Sequence, residues 1–176
     1  MATPDYFHKI TPFWDDAYKQ LDYTYESFND TVSTEFWLYK GYAQKFVGAM
    51  CDMRKAQPEW NDKIVQHFAD MGWQDIGTSY YRMSSGTILP VHQDLYKRYV
   101  ELFNLQGKEN TIWRAVIFLE DWESGHYLEI DNIPVTKWST GDMVIWNYDT
   151  PHMAANMGLL PRYTLQITGH MDEIKQ

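Results

Sequence analysis

Beyond Gly72 the chain breaks into short runs of β-branched and aromatic residues separated by turn residues, and this texture limits the possible folds more than any other feature. Thr78–Ser84, Ile88–Gln93, Thr111–Leu119, Tyr127–Asp131, Val135–Trp138, Met143–Asn147 and Tyr163–Gly169 read as strands. Ser85-Gly86, Ser124-Gly125 and Thr140-Gly141-Asp142 supply breaks between them. Many short strands at modest spacing predict a sandwich or barrel-like double sheet. Upstream of Gly72 the texture is different. Residues 1–30 are aromatic, polar and irregular, and Ser33 to Arg54 reads as partly helical, with Gly41 weakening that reading. Pro58 to Met71 is a better helix: Pro58 suits a first turn, Trp60, Ile64, Val65, Phe68 and Met71 share one face, and Gly72 can end it. A chain of 176 residues suits one domain, 1–176. Within it, 1–72 would be an aromatic-rich, partly helical support packed on one outer face of the sheets, and 73–170 the core.

Composition narrows the function classes. A net charge of -9 lacks the basic surplus that neutralises phosphates, which argues against a nucleic-acid partner. The longest apolar run, Ala115 to Leu119, is far shorter than the roughly 20 residues of a membrane-spanning helix, so no membrane partner is expected. The opening Met1-Ala2-Thr3-Pro4-Asp5-Tyr6 has no basic segment leading into an apolar one, so a secretory signal is not expected there. Cys51 is the single cysteine. It rules out an intrachain disulfide and a thiolate-rich metal site, and an intracellular, cytoplasmic setting is expected. Aromatics reach 16% with 8 Trp and 13 Tyr, which fits either core packing or stacking platforms for a sugar or base.

Two of the histidines stand in an informative context. His92-Gln93-Asp94 lies at the end of a strand, where residues i and i+2 point the same way, so an imidazole and a carboxylate can converge. His152 follows the strand Met143–Asn147 and a turn through Pro151. Two His and one carboxylate on one face of an ion leave the opposite positions open, as non-haem Fe(II) oxygenases require. The same residues also read as ordinary turn histidines with a solvated Asp94. Ten positions beyond His152, Arg162 opens a strand in which Arg162, Thr164, Gln166 and Thr168 share a polar face, opposite Tyr163, Leu165 and Ile167. Arg162 offers a planar fork for a carboxylate and Thr164 a nearby hydroxyl, unless Arg162 makes a surface ion pair.

His92-Gln93-Asp94, then His152, then Arg162-Tyr163-Thr164 resembles the signature of the Fe(II)- and 2-oxoglutarate-dependent dioxygenases. Ala115 to Gly125 is similar to the family's segment of a strand, an acidic turn, a Trp and a Gly, and Trp138 to Trp146 resembles its Gly-Asp strand before the distal histidine. The resemblance covers roughly Thr78 to Gly169 in the family's order and is closest in size to compact, prolyl-hydroxylase-like members. It implies a mainly β fold with N-terminal helices and a double-stranded β-helix (jelly-roll) core. It implies His92, Asp94 and His152 as ligands of Fe(II), and Arg162, assisted by Thr164, as the partner of the distal carboxylate of 2-oxoglutarate. With O2, such enzymes release succinate and CO2 while oxidising a substrate C–H bond, usually to an alcohol. Asp94 retains the carboxylate that the halogenating subgroup lacks. Two departures stand out: Arg162-Tyr163-Thr164 replaces the frequent Arg-x-Ser, and Gly125-His126 replaces two glycines, which makes His126 a further possible ligand.

The substrate is less legible. Tyr80, Arg82, Tyr96, Arg98 and Trp113 are candidate contacts, either Arg82 or Arg114 could meet an anion, and the connection 95–110 could act as a lid. A peptide side chain or an amino-acid-like small molecule is the expected substrate, by analogy with compact members. Two other readings stay open: a non-catalytic, aromatic-rich β-sandwich that binds carbohydrate, and a cupin-type metalloenzyme that does not use 2-oxoglutarate.

Overall fold

The computed structural model describes residues 6–28, 30–42, 46–52 and 55–171. In chain order the strands and helices are Phe7–Lys9 (β1), Thr24–Tyr25 (β2), Thr31–Tyr39 (α1), Ala49–Cys51 (β3), Asn61–Asp70 (α2), Gln74–Met83 (β4), Ile88–His92 (β5), Lys97–Phe103 (α3), Ile112–Phe118 (β6), His126–Ile130 (β7), Ile133–Val135 (β8), Asp142–Asn147 (β9), His152–Asn156 (β10) and Arg162–His170 (β11). Short 3-10 turns lie at Asp16–Gln20 and Glu109–Thr111.

The strands form two sheets. The larger has seven strands in the order β1-β9-β6-β11-β4-β3-β2, and the smaller has four, β5-β10-β7-β8. Every pairing among the described residues is antiparallel. Alternation along β6 and β11 gives the large sheet two different faces. Ala115, Ile117, Leu165 and Ile167 point outward and are fully buried against Ile64 and Phe68 of α2, with Trp60 and Trp73 closing the layer. Those helix residues sit four apart, on one face, so a single stripe meets the sheet. Burying side chains of this size stabilises by about 1.5–3 kcal/mol each. On the inner face, Val116, Phe118, Val144 and Trp146 meet Leu128, Ile130, Val135 and Ala154 of the small sheet. The Phe118 and Trp138 rings stack 4.0 Å apart in this second layer.

The helix expected over Pro58–Met71 forms as α2, and Gly72 ends it at φ +90. In the partly helical stretch Ser33–Arg54, Asp30 caps α1 by accepting from the Val32 amide at 3.1 Å, and Gly41 (φ +96) follows its end. That stretch also holds β3, and Met53 and Arg54 fall outside the described residues. The N-terminal region is therefore more than an outer helical layer, because β1, β2 and β3 extend the large sheet at both edges. The strand expected at Val135–Trp138 lies earlier, at Ile133–Val135. Asp131 and Asn132, both at positive φ (50 and 63), make a two-residue turn that pairs Ile130 with Ile133. β10 had no strand signal: His152-Met153-Ala154-Ala155-Asn156 lacks β-branched residues, and its pairing with β5 and β7 makes it a strand.

Candidate metal centre and cavity

β5 ends on His92 and β10 begins on His152, and the two are direct cross-strand partners. Residues so paired hold their Cβ atoms roughly 5 Å apart, and the imidazole centroids lie 4.3 Å from one another. Asp94, two residues past His92, reaches the same point: Oδ1 is 3.8 Å from His92 Nε2 and Oδ2 is 3.9 Å from His152 Nε2. Among the described residues, these three form the one cluster of at least three such side chains whose ligand atoms all lie within 4.8 Å of one another.

The donor set fits a divalent ion. His92 Nδ1 bonds the Pro90 carbonyl at 2.7 Å and His152 Nδ1 bonds the Thr150 carbonyl at 3.0 Å. A carbonyl only accepts, so each ring carries its proton on Nδ1 and presents a bare Nε2 to the cluster. His92 Nε2 is buried and has no hydrogen-bond partner, an orphan that a metal would satisfy. Burial, helped by the neighbouring His152 ring, pulls His92 down to about 4 and keeps the imidazole neutral. Burial alone would raise Asp94. The Arg114 guanidinium, with both imidazoles, outweighs it and holds the carboxyl well below the usual range. Phe28 and Trp37 set their rings edge-on to His92, and Trp146 packs on His152 at 5.0 Å, so apolar walls fix both imidazoles. The sequence carries no signal for the Phe28 and Trp37 contacts, which come from the segment before β5 folding over it.

The cluster opens into a cavity of about 850 Å3 between the sheets, within the range of small-molecule sites. Arg162, Thr164, Gln166 and Thr168 line it, as the alternation along β11 predicts. Arg162 is buried and donates to the Tyr127 carbonyl at 2.7 Å, while its Nε has no partner. Burial lowers it to about 10, and no carboxylate among the described residues offsets the cost.

The substrate candidates divide by face. Tyr96 and Arg98 line the cavity. Tyr80 and Arg82 do not: Tyr80 bonds Asn61 of α2 at 2.8 Å, and Arg82 lies over the Tyr23 ring on the outer side. Alternation turns Tyr81 inward in their place. Trp113 packs with the outer layer. His126 is separated from the cluster: it pairs with Asn156 on the ladder where His152 pairs with Ile130, four residues away, roughly 13 Å along a strand. Its Nε2 bonds the Leu160 carbonyl. The connection 95–110 is not a bare loop, since it carries α3.

No family model matches the chain, and no curated protein matches it. Solved structures do. A prolyl-4-hydroxylase from Pseudomonas putida aligns over 80% of this chain and 83% of its own, with a TM-score of 0.55 and 14% identity. A protein with a double-stranded β-helix domain from Klebsiella pneumoniae aligns over 56% of this chain and 70% of its own (TM-score 0.38, 14% identity). The plu4264 protein from Photorhabdus luminescens aligns over 57% of this chain and 65% of its own (TM-score 0.39, 12% identity). From β4 to β11 the chain passes back and forth between the two antiparallel sheets, and the fold is a double-stranded β-helix. Likeness at these identities concerns architecture, and chemistry has to be argued from the site.

Proposed function

We propose that this protein is an Fe(II)- and 2-oxoglutarate-dependent oxygenase. Its reaction would convert a substrate C–H, 2-oxoglutarate and O2 into the alcohol, succinate and CO2, on a peptidyl residue or an amino-acid-like small molecule. The observation that carries the reading is Arg162. A buried guanidinium with no counter-charge among the described residues, in the same cavity as His92, Asp94 and His152, is costly unless an anion completes it. A diacid whose other end chelates a metal meets that need, whereas a metal site without such a co-substrate leaves Arg162 only its bond to the Tyr127 carbonyl. His92, Asp94 and His152 would hold the ion on one face, and Arg162 with Thr164 would orient the distal carboxylate. The ferrous ion, when bound, supplies the O2 chemistry. Phe28, Trp37 and Trp146 would keep bulk water from the imidazole side. The carbohydrate-binding alternative is weakened on the Trp side, because every Trp is buried or partly buried, and it would have to rest on exposed rings such as Tyr25, Tyr39 and Tyr42.

The test is a succinate-release assay with Fe(II), O2 and 2-oxoglutarate over a panel of peptides, amino acids and nucleosides. Arg162→Met should raise the 2-oxoglutarate concentration needed at least tenfold while metal binding stays intact. Unchanged co-substrate affinity in that variant would falsify the role given to Arg162. Turnover that ignores 2-oxoglutarate would favour the cupin-type metalloenzyme.

A further inference from the structure

Arg114 projects from β6 into the cavity, and each of its nitrogens is engaged within the protein. Nε donates to the Tyr96 hydroxyl at 3.2 Å, one terminal nitrogen to Gln166 Oε1 at 3.3 Å, and the other to Asp94 Oδ2 at 3.0 Å. Its guanidinium carbon also lies over the Tyr96 ring, 5.1 Å from the centroid. This differs from Arg162, whose Nε is left without a partner. A side chain that grips a ligand keeps donors free, whereas Arg114 aims its donors at protein atoms.

What it grips is the one member of the cluster without a regular element behind it. His92 and His152 belong to paired strands, but Asp94 lies past the end of β5, two residues before Tyr96, whose backbone is left-handed at φ 49. A carboxylate on irregular chain is free to turn, and its two oxygens are equivalent until something distinguishes them. Beside a divalent ion it could chelate through both oxygens and use up a position that an open-faced site needs for its co-substrates.

We propose that Arg114 is a positioning residue for the metal centre. It occupies Asp94 Oδ2, leaves Oδ1 for the ion, and anchors that ligand to β11 through Gln166 and to the segment ahead of α3 through Tyr96. This rests on the reading of His92, Asp94 and His152 as a metal site. The planar fork of Arg makes the three directed bonds together, which a lysine ammonium on a single flexible stem does not reproduce. Contacts of this kind behind a metal ligand commonly change affinity 10–100-fold.

The test uses Co(II) alone, bound anaerobically to the full chain and read by its visible ligand-field spectrum and by calorimetry. Arg114→Met should weaken Co(II) binding on the order of 10–100-fold and alter band position and intensity, which report coordination number. Arg114→Lys should remain impaired, because charge without the fork is insufficient. Guanidinium ion at millimolar concentration should move the spectrum of Arg114→Ala back toward that of the native chain. Tyr96→Phe keeps the ring and the charge but removes the Nε anchor, along with the hydroxyl's own bond to Asp94, so it should shift the spectrum in the same direction by less. It decides the matter if the Arg114 variants do not fold. Native-like Co(II) affinity and spectrum in folded Arg114→Met, or in Tyr96→Phe where the Arg114 variants do not fold, overturn the proposal. So does a variant with native metal binding and a raised substrate requirement, which would make Arg114 a substrate contact. Failure of the native chain to bind Co(II) is a different result: it removes the metal reading of the cluster, and this proposal with it.

Discussion

At the residue scale, the inner face of the large sheet holds two guanidinium groups, one partly buried (Arg114) and one buried (Arg162), with different surroundings. Arg114 has Tyr96 and Asp94 beside it and is raised despite its desolvation; Arg162 has no acid beside it among the described residues and is lowered. The contrast fits the proposed roles, Arg114 within the frame and Arg162 toward an anion, where residue pattern alone left either able to meet one. His126 shows the same dependence on surroundings. It stands in a family-like stretch as a possible ligand, yet its buried ring lies parallel to Trp138 and its Nε2–H donates to the Leu160 carbonyl. Burial lowers its pKa from the ordinary 6.5, so the folded chain resists the proton that the unfolded chain accepts. Below 6.5 the unfolded state therefore binds more protons, and stability falls as pH drops; above 6.5 this contribution is complete. The urea midpoint of the native chain should fall as pH is lowered from 7 to 5, and His126→Asn should flatten part of that fall. Added divalent metal should leave the His126 share unaltered, because that ring is outside the cluster. Equal slopes for native and variant chains would contradict the assignment.

At the scale of elements, two connections interlock where β7 begins and β10 ends. Gly125 has φ +94, and a Cβ on it would lie 2.2 Å from the Gly158 amide nitrogen, while a Cβ on Gly158 would lie 2.2 Å from the Ser124 carbonyl oxygen. The Met157 amide donates to the Gly125 carbonyl at 2.8 Å across the same contact. Both the left-handed backbone and the close approach demand glycine. Gly125→Ala should cost about 2 kcal/mol or more, which for a chain of this length lowers Tm by several degrees; a thermal melt checks it. The sequence marks Ser124-Gly125 as a break and stops there, since a turn residue reports its own φ and not the chain it will touch. Strand positions were similarly legible where alternation and turn residues agreed, as in β6, β9 and β11. They were not legible for β10, which is a strand because of its neighbours.

On the scale of the whole molecule, the large sheet separates a structural layer from a chemical one, and neighbouring residues of β11 serve opposite sides. Leu165 is fully buried among the outer aromatic and aliphatic side chains, while Thr164 and Gln166 line the cavity. Leu165→Ala should therefore destabilise the fold by about 2–5 kcal/mol and leave the Co(II) spectrum of the folded protein unchanged. Urea unfolding and the metal titration check the two halves separately, and an altered spectrum would show that the layers are not independent. Local pattern was enough to give the strand-rich core, the Ile64 and Phe68 stripe of α2 (though not Met71, which is exposed), the inward row Arg162, Thr164, Gln166 and Thr168, and the convergence of His92 with Asp94, because periodicity fixes which residues share a face. Pairing and facing were decided only by the tertiary structure. It set His152 opposite His92, took Tyr80, Arg82 and Trp113 out of the cavity, turned Tyr81 into it, and closed Arg114 onto Asp94. A period of two says that alternate side chains part company, but which side meets the other sheet depends on strands far away in the chain.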